Sequence, residues 1–307
     1  MYETVSLKEK LTLFMTILMP ILITQISMNL MNFFDTVMSG RAGAVDLAGV
    51  AIGSSLWLPV FTGINGILLA ITPIIAHLIG AKDNQKVPGK VQQAIYLAGC
   101  IGLIVIFIGM LILNPILQAM DLEAEVRHIA KYYLVALGTG VVPLFIFNTL
   151  RNFIDALGKT RVSMVIILIS LPINIVFNYI FIFGKFGVPA FGGIGSGIAT
   201  SITYWLVCLI AFVVVHRLMP FRQYRLLSQW VLPRFKEWWE QLKIGIPIGF
   251  AIFFESSIFA AITLFMSVYN TYTIAAHQAA INFSGLLYMI PLSVGMALTI
   301  AIGFELG

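Results

Sequence analysis

Long uncharged apolar runs alternate with short polar connections from one end of this 307-residue chain to the other. Eight runs stand out, at about 11–38, 47–79, 93–117, 130–150, 162–183, 194–216, 244–268 and 275–304. Each is long enough, at ~1.5 Å per residue, to carry a helix across a hydrocarbon core of ~30 Å. Runs two and eight are longer than a bilayer needs, which predicts tilt or protrusion. The first run is not uniformly apolar. Wound at about 100° per residue, Thr24, Gln25, Asn29, Asn32, Asp35, Thr36 and Ser39 fall within an arc of roughly 140°. A helix facing lipid all round has no reason to gather its polar groups on one side. This stripe, with a carboxylate in it, predicts a helix that lines a cavity.

Composition agrees with the pattern. The chain is 60% hydrophobic and 10% charged, against the ~25% charged of soluble domains. An all-α polytopic membrane protein follows. The first apolar run is too long for a signal-peptide core and lacks a small-x-small cleavage pattern. Cys100 and Cys208 both lie inside apolar runs and read as small packing residues rather than a disulfide framework. The net charge of +5 sits in the connections, so it is no nucleic-acid footprint.

Those connections predict orientation. Of 18 Lys and Arg, fourteen fall on one side: Lys8 and Lys10, Lys82 to Lys90, Arg151 to Arg161, and Arg217 to Lys243. The other side carries Arg41, Arg127, Lys131 and Lys185. The positive-inside rule then places the N-terminus in the cytoplasm. Two connections read as more than turns. Residues 120–131 suggest an outer-face helical elbow. Residues 217–243, basic and containing Trp230, Trp238 and Trp239, suit a segment along the inner headgroups.

That segment also reads as a boundary. At an offset of 227 residues, Pro20 to Gly80 falls on Pro247 to Gly307, with matches that include Ile21/Ile248, Thr36/Thr263, Ala70/Ala297 and Thr72/Thr299. Spans one and two thereby align with seven and eight in the same orientation, the signature of parallel repeats in a transporter. The expected organisation is an amino-terminal six-helix lobe over 1–216, a cytoplasmic interfacial linker over 217–243, and the first two helices of a carboxy-terminal lobe over 244–307. On this reading the second repeat stops after two helices of six, and the sequence reads as a piece of a longer chain.

Two intramembrane acids are the candidates for chemistry. An ionised acid in the bilayer costs ~3 kcal/mol on insertion scales, so each calls for a polar cavity or a partner. Asp35 sits on the polar stripe. Glu255 falls near the middle of the seventh span, where snorkelling is hardest, on a face with Ile248, Phe259, Ile262 and Met266. A carboxylate among aromatic and thioether groups suits a flat lipophilic cation. Both acids are candidates for proton exchange near neutral pH. Asn174 and Asn178 share one face of span five, as do Thr200 and Tyr204 on span six and Gln278 and Asn282 on span eight. Such amides and hydroxyls are what an ion- or proton-linked acid needs nearby, although interhelical packing would select them too. His277 reads as an interior residue. The glycine run 192–197 lacks the Lys-Ser/Thr of a phosphate loop. Nothing in the sequence forms a metal-ligand cluster, a nucleophile triad or a dinucleotide fingerprint.

Several stretches together resemble one family, the multidrug and toxic compound extrusion (MATE) transporters in their NorM-like branch. They are Phe34-Asp35-Thr36-Val37-Met38-Ser39-Gly40, Arg151-Asn152-Phe153-Ile154-Asp155-Ala156-Leu157-Gly158-Lys159-Thr160-Arg161, Pro172 to Tyr179, Phe254-Glu255 and Ala275 to Phe283. The resemblance covers essentially the whole chain. It implies a twelve-helix antiporter of two six-helix lobes in the bacterial cell membrane, exporting organic cations against sodium ions or protons, with no cofactor. It further implies that Asp35, Asn174, Asn178 and Thr200 form an amino-lobe ion or proton site. Glu255 would belong to a carboxy-lobe cation site, and Phe259, Met266, Gln278 and Asn282 to substrate binding. A sodium ion at Asp35 or Glu255 is the one metal implied. A further acid of the family, on a later helix, has no counterpart before Gly307, so the second lobe would need helices this chain does not contain. Two rivals stand beside this reading. A lipid-linked-sugar flippase of related fold would be expected to have a strongly basic cavity. A membrane enzyme using Asp35 and Glu255 as acid and base would have its two groups in different lobes.

Overall fold

A computed structural model describes residues 6–120, 122–226, 231–266 and 271–306, and side chains outside 259–282. Ten α-helices and one short 3-10 turn make up the described chain: α1 (Leu7–Ala42), α2 (Ala44–Leu69), α3 (Ile71–Gly80), α4 (Val87–Ala119), α5 (Ala124–Gly138), α6 (Val141–Ala156), α7 (Thr160–Phe183), α8 (Gly193–Arg217), the turn Phe221–Tyr224, α9 (Phe235–Met266) and α10 (Thr271–Glu305). Seven segments are long and apolar enough to cross a membrane, with α2 and α3 counted as one, and α5 with α6 supplies an eighth as a span bent by 51°. The eight runs expected from the sequence thus all correspond to helical spans.

Local chemistry explains where helices start and break. Ser6 and Glu9 form a reciprocal capping box at the head of α1, each side chain meeting the other's backbone N–H at 3.2 Å. Pro20 loosens the α1 ladder, and the Thr160 hydroxyl of α7 donates to the Ile17 carbonyl there at 3.2 Å. At the α2–α3 break the Asn152 amide donates to the Leu68 carbonyl at 3.1 Å. The bend between α5 and α6 is pinned from α8: Thr139 and Ser201 hydroxyls lie 2.7 Å apart, and the Trp205 indole donates to the Thr139 carbonyl at 3.0 Å. In lipid every such backbone group needs an internal partner, and neighbouring helices supply it.

Helix contact rests on small residues, as expected where lipid removes the hydrophobic drive between helices. A Cβ on Gly197 of α8 would sit 2.6 Å from the Tyr133 carbonyl of α5, and one on Gly140 would sit 2.8 Å from Ser201 Cα. The glycine run of α8 is therefore a packing surface. α6 is the axis of the bundle, buried from Phe145 to Ala156 except where Ile146 is half-exposed. α9 packs on α2, while α10 packs on α3 and α1, where Ile17 and Ile21 meet Ala297 and Ile300.

The segment after α8 is tied down rather than loose. Phe221 and Tyr224 stack edge-on against Phe153, with ring centroids 6.2 and 5.8 Å apart. Gln93 of α4 donates to the Leu232 carbonyl (2.9 Å) and accepts from the Arg234 N–H (2.8 Å) and the Trp238 indole (3.1 Å). Lys90 pairs with Glu237 and, at 2.8 Å, with Glu240. α9 begins at Phe235, so residues 235–243 already belong to the seventh span's helix. Trp230 lies outside the described residues. Likewise most of the stretch 120–131 is the head of α5, which begins at Ala124, with Arg127 reaching back to the Leu122 carbonyl at 3.1 Å.

Candidate functional site

Three helices converge on Asp35. α1 brings the acid along its polar stripe, α7 brings Asn174 and Asn178 one turn apart, and α8 brings Thr200. The Asn178 amide donates to Asp35 Oδ1 at 2.5 Å and to Asn174 Oδ1 at 2.9 Å. Thr200 donates to Asp35 Oδ2 at 3.4 Å and receives the Asn174 amide at 3.5 Å. Asn174 and Asn178 are fully buried and Thr200 nearly so, whereas Asp35 is half-buried. All four residues expected at an amino-lobe site thus lie together.

Asp35 opens on a cavity of about 310 Å³. Asn32 and Thr36 line it from α1, Trp57 and Phe61 from α2, Tyr133 from α5, Asn148 from α6, and Thr200 and Tyr204 from α8. Trp57 stacks on Phe61 and on Phe145, at 6.1 and 6.4 Å between centroids. The Tyr133 and Ser54 hydroxyls are 3.2 Å apart. Tyr133, Ser54 and Asn148 were not singled out in the sequence. Tyr133 follows a charged stretch that reads as a connection, and Asn148 stands alone in an apolar run. Two buried polar atoms at this site have no hydrogen-bond partner among the described residues: Asn178 Oδ1 and Asn148 Nδ2. One is an acceptor beside the acid, the other a donor belonging to a cavity-lining residue.

No Lys, Arg or His pairs with Asp35 among the described residues; its partners are neutral. The fully buried acid of this lobe is different. Asp155 has Arg151 Nε at 3.6 Å and also accepts from the Ser163 hydroxyl. Arg151, which reads in the sequence as a connection charge, is buried inside α6 and reaches back to Gln25 Oε1 of α1 at 3.4 Å.

Glu255 sits on α9, half-buried, near the Tyr288 side chain of α10. Neighbouring Ser256 meets Thr62 of α2 at 3.3 Å. Phe250, Phe254, Ile258 and Phe283 are exposed around it in this chain. The side chains of Phe259, Met266, His277, Gln278 and Asn282 lie outside the described residues.

A many-helix membrane bundle with an uncompensated carboxylate facing an internal cavity has the architecture of a membrane transporter. Comparison with known proteins makes that specific: the MatE family model matches residues 20–180 and 247–307, and the chain belongs to that family. The two matches begin at the prolines that the 227-residue offset superposes. The chain is 66% identical over all 307 residues to the probable multidrug resistance protein NorM of Oceanobacillus iheyensis, and 54% identical to that of Bacillus subtilis. It spans 69% and 68% of their lengths. Among solved structures, the eukaryotic MATE transporter AtDTX14 shares the fold with a TM-score of 0.86 at 20% identity, over 97% of this chain and 66% of its own. The MATE transporter NorM-NG, solved in complex with a monobody, aligns with a TM-score of 0.73 at 31% identity, over 94% of this chain and 63% of its own. The family is one of transporters, not enzymes.

Proposed function

We propose that the chain is the ion-coupling part of a multidrug antiporter that exports organic cations in exchange for sodium ions or protons. The observation that carries this is Asp35: a carboxylate held by two neutral side chains, with no fixed cation paired to it among the described residues. Removing an unpaired charge from water costs several kcal/mol, so the group must take up something positive from solution. A proton, a sodium ion and a cationic drug all meet that need, and they exclude one another there. Exchange follows from that exclusion.

The neighbours suit the task. Asp35, Thr200, Asn174 and the unpartnered Asn178 Oδ1 offer oxygen ligands of three kinds, carboxylate, hydroxyl and amide, for a hard cation. The stacked Trp57 and Phe61 supply aromatic surface for a flat organic cation. Glu255 is the second coupling acid, and Phe259, Met266, Gln278 and Asn282 extend the substrate surface on α9 and α10. The chain divides into a six-helix lobe over 1–216, a linker over 217–243 whose last residues already form the head of α9, and the opening helices of a second lobe over 244–307. Its N-terminus and the linker face the cytoplasm, on the asymmetry of Lys and Arg between the two sides.

Titrating the purified chain with a fluorescent organic cation tests the reading. Only ionised Asp35 attracts the cation, so affinity should fall as pH falls through its titration, and sodium should compete. Affinity indifferent to both pH and sodium would overturn the proposal. Chemical change in the cation or the surrounding lipid would favour an enzyme instead.

A further inference from the structure

A second cavity, of about 560 Å³, opens far from Asp35 where α8 ends. Its inner wall is apolar, with Ile95 from α4 and Phe212 from α8, and its rim carries His216, Arg217, Arg222 and Arg225. No carboxylate lines it. Elsewhere on this face the cations are answered: Lys86 meets Asp83 at 2.5 Å and Lys90 meets Glu240 at 2.8 Å. Among the described residues neither the Arg217 nor the Arg222 guanidinium pairs with a carboxylate.

The rim is preorganised. Phe221 is buried against Phe153, and Tyr224 packs on the same ring, so the 3-10 turn that carries Arg222 is fixed to α6. Like charges gathered on a fixed rim repel one another, and an anion relieves that repulsion. Guanidinium forks match the oxygens of a phosphate in particular. The wall says which kind of phosphate. Leu209 and Val213 are exposed on α8 and lie eight and four residues before Arg217, so one apolar stripe runs along the helix and ends at the arginine. Among the described residues α9 and α10 pack chiefly on α1 to α4, and this side of α8 is uncovered. A soluble phosphate has no use for such a stripe; an acyl chain does.

We propose that this cavity binds an anionic phospholipid, with the phosphate between Arg217 and Arg222 and the start of an acyl chain against Ile95 and Phe212. Basic pockets between membrane helices at the headgroup level are suited to such lipids. The site is independent of drug and ion exchange at Asp35. Only the leaflet that supplies the lipid, the cytoplasmic one, rests on the proposed orientation.

The test uses the whole chain in neutral detergent, titrated with phosphatidylglycerol and read by native mass spectrometry. A micelle has no leaflets and the readout involves no transport, so failure of the antiporter reading leaves the result intact. One phosphatidylglycerol should bind saturably, while phosphatidylcholine and free glycerol phosphate should not. Arg217→Gln or Arg222→Gln should weaken binding about fivefold each, and the pair roughly 25-fold. Both arginines are exposed, so the fold does not depend on them. Ile95→Trp, which fills the apolar wall and keeps every charge, should also reduce retention. Three results would overturn the proposal: a double variant that binds within twofold of the parent, free glycerol phosphate that binds as tightly as the lipid, or an equal loss in Arg41→Gln/Lys185→Gln, which would mean a diffuse charge effect.

Discussion

Asp35 and Asp155 are both aspartates in one helical lobe, and what sets their surroundings apart is charge compensation and access to a cavity. Asp155 has a fixed cation. Its oxygens are taken by Arg151 and Ser163, and Arg151 in turn reaches Gln25, so the pair links α6, α7 and α1 into one block. Among the described residues Asp35 has only an amide and a hydroxyl, and it faces a cavity. A buried acid with its own arginine is neutral as a unit and has no reason to exchange. A buried acid without one is left with a charge that only a mobile cation or proton can balance. Glu255 stands nearer to Asp35 in this respect, with a tyrosine side chain near it and no cation paired among the described residues.

The comparison is most exposed to failure at Asp35 itself. Asp35→Asn keeps the shape and the amide contacts but removes the charge. Proton uptake or release on binding an organic cation, measured by calorimetry in buffers of different ionisation enthalpy, should disappear, and the pH dependence of affinity should flatten. Folding should survive. An unchanged proton count would reduce Asp35 to a packing residue.

The next largest effect is on stability, at the other acid. Arg151→Met leaves Asp155 buried without its cation, with only the Ser163 hydroxyl beside it, and should cost about 3–5 kcal/mol. Arg151→Met with Asp155→Leu should recover most of that, because an apolar pair replaces the ionic one. Thermal melts in detergent separate the two cases. If the single and double variants melt alike, the ion pair is not what the buried charge depends on.

Smaller still is Thr200→Val, which removes one donor to Asp35 and one oxygen ligand while keeping volume. Loss of a hydrogen bond to a charged group is worth about 1.5–3 kcal/mol, so cation affinity should fall roughly 10- to 150-fold. Titration of the variant against the parent at one pH decides it. The smallest change is expected for Tyr288→Phe beside Glu255. Both groups are solvent-accessible in this chain, so binding and melting should shift by less than about 1 kcal/mol. A loss as large as that of Thr200→Val would mean that Glu255 is held as tightly as Asp35.

The spans were legible in the sequence because lipid imposes length: an uncharged run of about twenty residues has one stable form, and all eight runs are helical. Asp35 was legible for a related reason, since an acid inside such a run must be explained. The pairing of Asn174 with Asn178 on one face came from the helical period alone. The helix ends were less so. The seventh run is preceded by charges over 236–243 that read as a connection, yet α9 begins at Phe235, because Gln93 and Lys90 of α4 supply the polar partners that those residues would otherwise seek in water. Arg151 shows the same limit from the other direction. Its position near a run's end suggests a loop, and only the fold reveals Asp155 and Gln25 beside it. Tertiary structure alone decided that Asn178 and Thr200, from different helices, meet the two oxygens of one carboxylate, and that Tyr133 and Asn148 join them at the cavity. Periodicity fixes which residues share a helix face. Which face meets which depends on small residues such as Gly140 and Gly197 letting α5, α6 and α8 approach, a contact between positions more than 60 residues apart that no local pattern records.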